Sequence, residues 1–208
     1  SINGQAPSAG KDIIEPSEDD VEAIIEEIPS LIVARDFAEH VGAVNWFSML
    51  GEPIDASLSH LAQRYLEGLG FPHVDIAPVQ DRETAEVAAE SLDWDTAAWE
   101  AEEQLRAALV AEALLTIDER ALSVALAHVG AKTAQALEDH MQDLAALWDI
   151  EDTSFLNAAT GAAIKAADNK ALLMLAGDTE DHPFALKFHL FEKGRWPIAI
   201  AGTSFNLF

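Results

Sequence analysis

Two acidic clusters that each carry a histidine are the residues of this chain best placed to do chemistry: Glu138-Asp139-His140, and Asp178, Glu180, Asp181 and His182. Carboxylate and imidazole together are ligands for divalent cations, with hard ions preferring oxygen and transition ions accepting nitrogen. In the first cluster, helical spacing puts Asp139 and Asp143 on one face and leaves Glu138 and His140 off it, as on a solvated helix flank. The second falls in a polar stretch and is the better candidate for weak binding of a divalent cation, although a loop and a helix cap would use the same residues. Stricter metal patterns are missing. No Glu stands three residues before any of the 7 histidines, as helical di-iron proteins require, and there is neither HExxH nor a calcium loop.

Other chemistries meet similar limits. The chain has 0 cysteines, which removes disulfides, thiolate nucleophiles and Cys-based zinc sites. It has no GxxxxGK[ST] and no GxGxxG; Gly42, Gly51, Gly68 and Gly70 read as helix and turn punctuation. Ser204 lacks the GxSxG surroundings of a hydrolase nucleophile. No cofactor is therefore expected. His40 and His128 lie on amphipathic helices, where a packed histidine is the ordinary occupant. His189 beside Lys187 and Arg195 forms a candidate anion-accepting patch. Trp148 completes an apolar stripe and belongs to a core. Trp94 and Trp99, in the most acidic stretch, are candidate interaction anchors, as are Trp196, Phe205 and Phe208 near the apolar C-terminus.

The elements that would position these residues are mostly helical. Ser17 reads as an N-cap, followed by acids in the first turn and by Val21, Ile24, Ile25 and Ile28 at helical spacing. Further helices are expected over Leu31–Leu50, ending at Gly51, and over Asp55–Leu69, ending at Gly70. Phe71–Gln80, bracketed by Pro72 and Pro78, reads as an extended surface connection. Helices follow near Arg82–Leu92 and from Asp95 or Thr96 to Leu115, where Glu102 and Arg106 are spaced to pair across one turn. Thr116 and Glu119 suggest a capping box that opens a helix ending at Gly130. A cleaner stripe then runs from Ala134 to Trp148, and another helix starts at Asp152 or Thr153. Ala171–Ala176 fits a strand or a helix, with helix favoured. Phe184, Leu186, Phe188 and Leu190 alternate with Ala185, Lys187 and His189, and Trp196, Ile198 and Ile200 resume the alternation after a turn; this predicts a β-hairpin.

The fold class so expected is mainly α: a multi-helix orthogonal or bundle-like domain with a C-terminal β-hairpin packed on it. Its parts are a flexible arm over 1–16, a helical domain over 17–177, and the hairpin with its apolar tail over 178–208. With 37 Asp and Glu against 12 Lys and Arg, the formal charge is −25. Nucleic acids and anionic membranes recruit cations, so direct binding to either is not expected. No apolar run reaches the length of a membrane span, and no signal pattern is visible, which makes the cytoplasm the expected compartment. The chain starts at Ser1, which leaves a removed presequence open. The function expected first is non-enzymatic: binding of a protein partner, a basic one by charge complementarity, and self-association as a dimer through the C-terminal hairpin. The alternative is an enzyme or divalent-cation binder with an acidic pocket between helices. Mimicry of a nucleic acid is a third reading of the same charge.

Overall fold

In the computed structural model, which describes residues 17–28, 31–90, 96–151, 153–178 and 180–208, local capping signals set most of the helix ends. The helices are α1 (Glu18–Glu27), α2 (Ile32–Val41), α3 (Ala56–Leu69), α4 (Arg82–Glu90), α5 (Ala97–Ala113), α6 (Glu119–Trp148), α7 (Thr153–Leu175) and α8 (Pro183–Glu192). The strands are β1 (Asp75–Pro78), β2 (Pro197–Ala201) and β3 (Ser204–Leu207). The fold is thus mainly helical with a minor β component. The expected arm over 1–16, and Trp94 with its neighbours Asp93 and Asp95, lie outside the described residues.

The Ser17 hydroxyl accepts the Asp20 amide, and the Asp20 carboxylate accepts that of Ser17, closing a capping box. Asp55 and Thr96 cap α3 and α5 through the side-chain oxygen alone, accepting the Leu58 and Trp99 amides, and α3 ends at Gly70 in the left-handed region. Several expected boundaries are corrected. The second helix stops at Val41, where the Trp46 indole donates to the Val41 carbonyl, and the chain turns through 42–50 instead of remaining helical to Leu50. Asp118, not Thr116, caps α6, which runs straight through Gly130 to Trp148. An interior glycine costs a helix about 1 kcal/mol. Burial of Ala125, Val129, Thr133 and Leu137 on one continuous face outweighs that. Ala171–Leu175 is helical, as favoured, and belongs to the end of α7.

Two larger corrections concern strands. Phe71–Gln80 is not merely a connection: its middle is β1, which pairs in parallel with β3 in the sheet order β1-β3-β2. An edge position is the place in a sheet that tolerates Pro78. The hairpin exists, but it is β2 and β3, joined through Gly202 and Thr203 with positive φ at the glycine. Phe184–Leu190, expected as its first strand, is instead helix α8, with His182 as N-cap and Pro183 in the first turn.

The reason lies in what surrounds α8. Residues two apart on a helix point to nearly opposite sides, so an alternating apolar run is stable as a helix only with apolar surroundings on both. Here both exist. Phe184, Ala185, Phe188 and Phe191 join a large cluster with α2, α6 and α7. Leu186 and Leu190 join a second one with Leu58, Leu61, Ala62, Tyr65, Leu66 and Leu69 of α3. The two remaining flanks carry Lys187 and His189, and each faces a cleft.

Gly194, after α8, has φ +79° and lies against the 48–49 backbone: an added Cβ would stand 2.5 Å from Ser48 Oγ and 2.9 Å from Met49 N. Gly194→Ala should destabilise the protein by about 2 kcal/mol, combining left-handed strain with overlap. Chemical denaturation measures this, and a loss below about 0.5 kcal/mol would show that the turn relaxes freely.

Candidate functional site

Lys187 projects into a cleft of about 410 Å³ at the meeting of the two core clusters. Its α5 wall is Thr96, Ala98, Trp99 and Glu102; its α7 wall is Asn157, Ala158, Gly161, Ala162, Lys165, Ala166 and Asn169; residues 197–200 of β2, with Phe205 and Tyr65, complete it. Four of these seven α7 residues are Ala or Gly, and that leaves room between α7, α5 and the sheet. Gly161 stands in the middle of this face, and a Cβ on it would meet no atom within 4 Å. The chain thus gives up helix propensity where the cleft gains space.

Within this mostly apolar lining sits a buried polar group. The Glu102 carboxylate accepts hydrogen bonds from Lys187 Nζ at 2.8 Å and from the Tyr65 hydroxyl. Lys187 Nζ also stands 5.6 Å from the centre of the Tyr65 ring, within cation–π range. The side chain of Glu102 is only 10% exposed and that of Lys187 24%. Burial pushes the Glu102 pKa up, but the Lys187 ammonium and the two hydrogen bonds outweigh it and hold the group below the ordinary glutamate value. Tyr65 moves the other way, well above its ordinary value, first through burial and then through the adjacent carboxylate. The proton therefore stays on Tyr65 and the charge on Glu102. Lys187 uses one of its three protons on Glu102, so its ammonium has donors left for a molecule in the cleft.

The cleft walls are tied together from outside. Lys165 pairs with Glu103 at 3.1 Å, and Arg106 reaches Asp168 at 2.6 Å and Asn169 at 2.7 Å. Burial raises the Asp168 pKa, with the Arg106 guanidinium opposing it. The expected Glu102–Arg106 pair along α5 is not made; the two residues reach across the fold in different directions.

The residues singled out from sequence are scattered by the fold. Asp178 and Glu180 are exposed in the connection before α8, and Asp181 binds Arg64 Nη2 at 2.8 Å. The His182 Nδ1 accepts the Phe184 amide at 3.0 Å and so caps α8. Among the described residues, no group of three or more His, Asp or Glu is placed to hold a metal ion. Trp196, Phe205 and Phe208 are buried inside the chain's own core, against Phe47, Tyr65 and Trp148 respectively. That burial removes the exposed apolar tail on which self-association was argued. Trp99 does line the cleft, but as part of a wall. Lys187 and His189 fall on opposite flanks of α8, so the anion-accepting patch drawn from the alternation is divided, and Arg195 stands with His189. Sequence reasoning missed Tyr65 and Glu102, because an apolar-stripe tyrosine and a helix-surface glutamate carry no mark of their partnership.

His182 supplies a pH prediction. Burial lowers its pKa below the ordinary 6.5, with Asp178 opposing, so the neutral ring is favoured in the folded state. A depressed folded pKa gives stability that is present above the unfolded value and lost as pH falls through the folded one. Protonation at Nδ1 also removes the cap acceptor. In thermal melts, wild type should therefore lose ground relative to His182→Asn, a non-titrating cap, as pH falls below 6.5. A constant difference between pH 7 and pH 5 would refute this.

Comparison with protein-family models, curated proteins and solved structures finds no match for this chain. Among the described residues, no helix is long and apolar enough to cross a membrane. The fold and cleft define a mainly helical protein with a small mixed sheet and an open, mostly apolar, lysine-bearing cleft.

Proposed function

We propose that this protein binds a small amphipathic molecule in the cleft between α5, α7 and the sheet. Its apolar body lies against the small-residue face of α7, and its carboxylate or carbonyl head lies at Lys187. The observation that carries this reading is the Tyr65–Glu102–Lys187 group in a mostly apolar cleft of ligand size. Small-molecule sites typically have about 300–1,000 Å³ and a few convergent polar groups. Lys165 and Asn169 make the same wall more polar. This is a pocket between helices, as in the enzyme alternative, but its ammonium groups make it receptive to an acceptor head and not to a cation.

Binding to a protein partner, the function expected first, draws support from the charge of −25, but the two most exposed leucines among the described residues form no contiguous apolar surface. Leu115 and Leu147 lie near opposite ends of α6, a helix of 30 residues and so about 45 Å long.

The test is fluorescence titration with 8-anilinonaphthalene-1-sulfonate, an aromatic anion, in competition with decanoate. Saturable binding near one equivalent is expected, displaced by decanoate and weakened at least about tenfold in Ala162→Trp, which fills the cavity. Equal binding by wild type and Ala162→Trp would sink the proposal. A paired substitution separates space from stability. Gly161→Ala and Gly130→Ala, both helical with open space at Cβ, should each stabilise by about 0.5–1 kcal/mol. Only Gly161→Ala should also weaken the probe, because only that Cβ enters the cleft.

A further inference from the structure

On the opposite flank of α8, His189 lines a second cleft of about 340 Å³ with His60 and Arg64 of α3 and with Lys193 and Arg195. We infer that this cleft binds a compact oxyanion of the phosphate class.

Its charge is opposite to that of the rest of the molecule. Acids outnumber bases 37 to 12 in the chain, yet three of the bases and two histidines line this cleft, against one acid, Asp55. The Asp55 carboxylate already accepts the Leu58 amide as the cap of α3. Two acids outside the lining pair with groups inside it. Asp181 takes one terminal nitrogen of Arg64. Glu192 lies between His40 at 2.9 Å and His189 at 3.4 Å. The Arg195 guanidinium is anchored to the carbonyls of Glu52 and Pro53, which fixes its charge at the cleft wall without neutralising it. Lys193 and His60 are exposed and form no ion pair with an acid among the described residues. Among the described residues, Lys193 and the anchored Arg195 are therefore the lining cations outside any ion pair, in a strongly negative molecule. Charge-assisted hydrogen bonds from such donors favour a multivalent oxyanion over chloride.

The probes are inorganic phosphate and pyrophosphate, measured by calorimetric titration and thermal melts at constant ionic strength against sodium chloride. Ionic-strength matching is essential, because every salt screens the charge of −25. Wild type should give a saturable heat, and a rise in melting temperature above the chloride control. Lys193→Glu with His60→Glu should bind at least about tenfold more weakly, and Lys193→Gln with His60→Gln should fall between. Both side chains are exposed, so these variants leave the core intact. Ala162→Trp, which blocks the other cleft, should bind phosphate as wild type does, which keeps the two sites distinguishable. A wild-type response equal to that in chloride, or one unchanged in Lys193→Glu/His60→Glu, would overturn the inference.

Discussion

Glu102→Leu should lower the stability of the protein by about 3 kcal/mol, because it leaves the Lys187 ammonium in an apolar cleft without its counter-charge and the Tyr65 hydroxyl without an acceptor. The loss is due to an orphaned charge and not to the pair being strongly favourable in itself. Glu102→Leu with Lys187→Met should therefore recover most of it, since a buried pair replaced by apolar residues of similar size is often neutral. Denaturant unfolding of the two single variants and the double variant measures the coupling. Additive losses would mean that water entering the cleft already solvates the pair.

The same group predicts a pH dependence. In wild type the Glu102 pKa is depressed below the ordinary 4.5, so its contribution to stability is present above that value and lost as pH falls through the folded one. Removing Lys187 takes away the two largest opposing causes, so that burial, which raises a carboxyl pKa, is expected to outweigh the remaining Tyr65 hydrogen bond and Lys165 charge. In Lys187→Met the contribution is then present below the ordinary value and lost as pH rises. The stability gap between wild type and Lys187→Met should widen from about pH 4 to pH 7. A gap independent of pH would show that Glu102 does not change its ionisation between the two proteins.

Arg195→Leu should cost about 2–4 kcal/mol, the second large effect expected. Arg195 is 4% exposed, and its guanidinium donates to the Glu52 carbonyl at 2.6 Å and to the Pro53 carbonyl at 2.8 Å. These bonds tie the turn after Gly51 to the segment that leads from α8 into the sheet. Burial lowers the Arg195 pKa, with Glu52 and Asp55 opposing, and arginine remains charged throughout the accessible range. Removal takes the charge-assisted donor from two partly buried carbonyls and leaves the space of a buried side chain to be refilled. Arg195→Lys should recover less than half, because one ammonium cannot reproduce a planar fork aimed at two carbonyls. Thermal and chemical denaturation check both variants, and near-wild-type stability of Arg195→Lys would show that the charge matters more than the geometry.

How much of this was legible depends on the range of the interaction concerned. The caps at Ser17, Asp55 and Thr96, the left-handed stop at Gly70 and the helical stripes of α1, α3 and α7 are local, formed by residues three or four apart, and sequence carries them directly. The end of α2 was not legible, because the Trp46 indole that takes the Val41 carbonyl does so from outside the helical repeat. The partners of Glu102 were not legible either. An i,i+4 arginine was visible, but Lys187 lies 85 residues away and Tyr65 lies 37 residues away on another helix.

The sequence by itself determined a mainly helical chain with a small β component at its C-terminus, a large negative charge, and the absence of cysteine chemistry and of standard phosphate loops. Tertiary structure alone decided that Phe184–Leu190 is a helix. Period-two alternation means a half-buried strand when one side is wet, and a buried helix when two apolar clusters enclose it. That same enclosure turned Lys187 and His189 to opposite flanks of α8, one into an apolar cleft with Glu102 and Tyr65, the other into a cationic cleft with Arg64 and Arg195. Burial on both faces is a property of the packed molecule, and no window of neighbouring residues contains it.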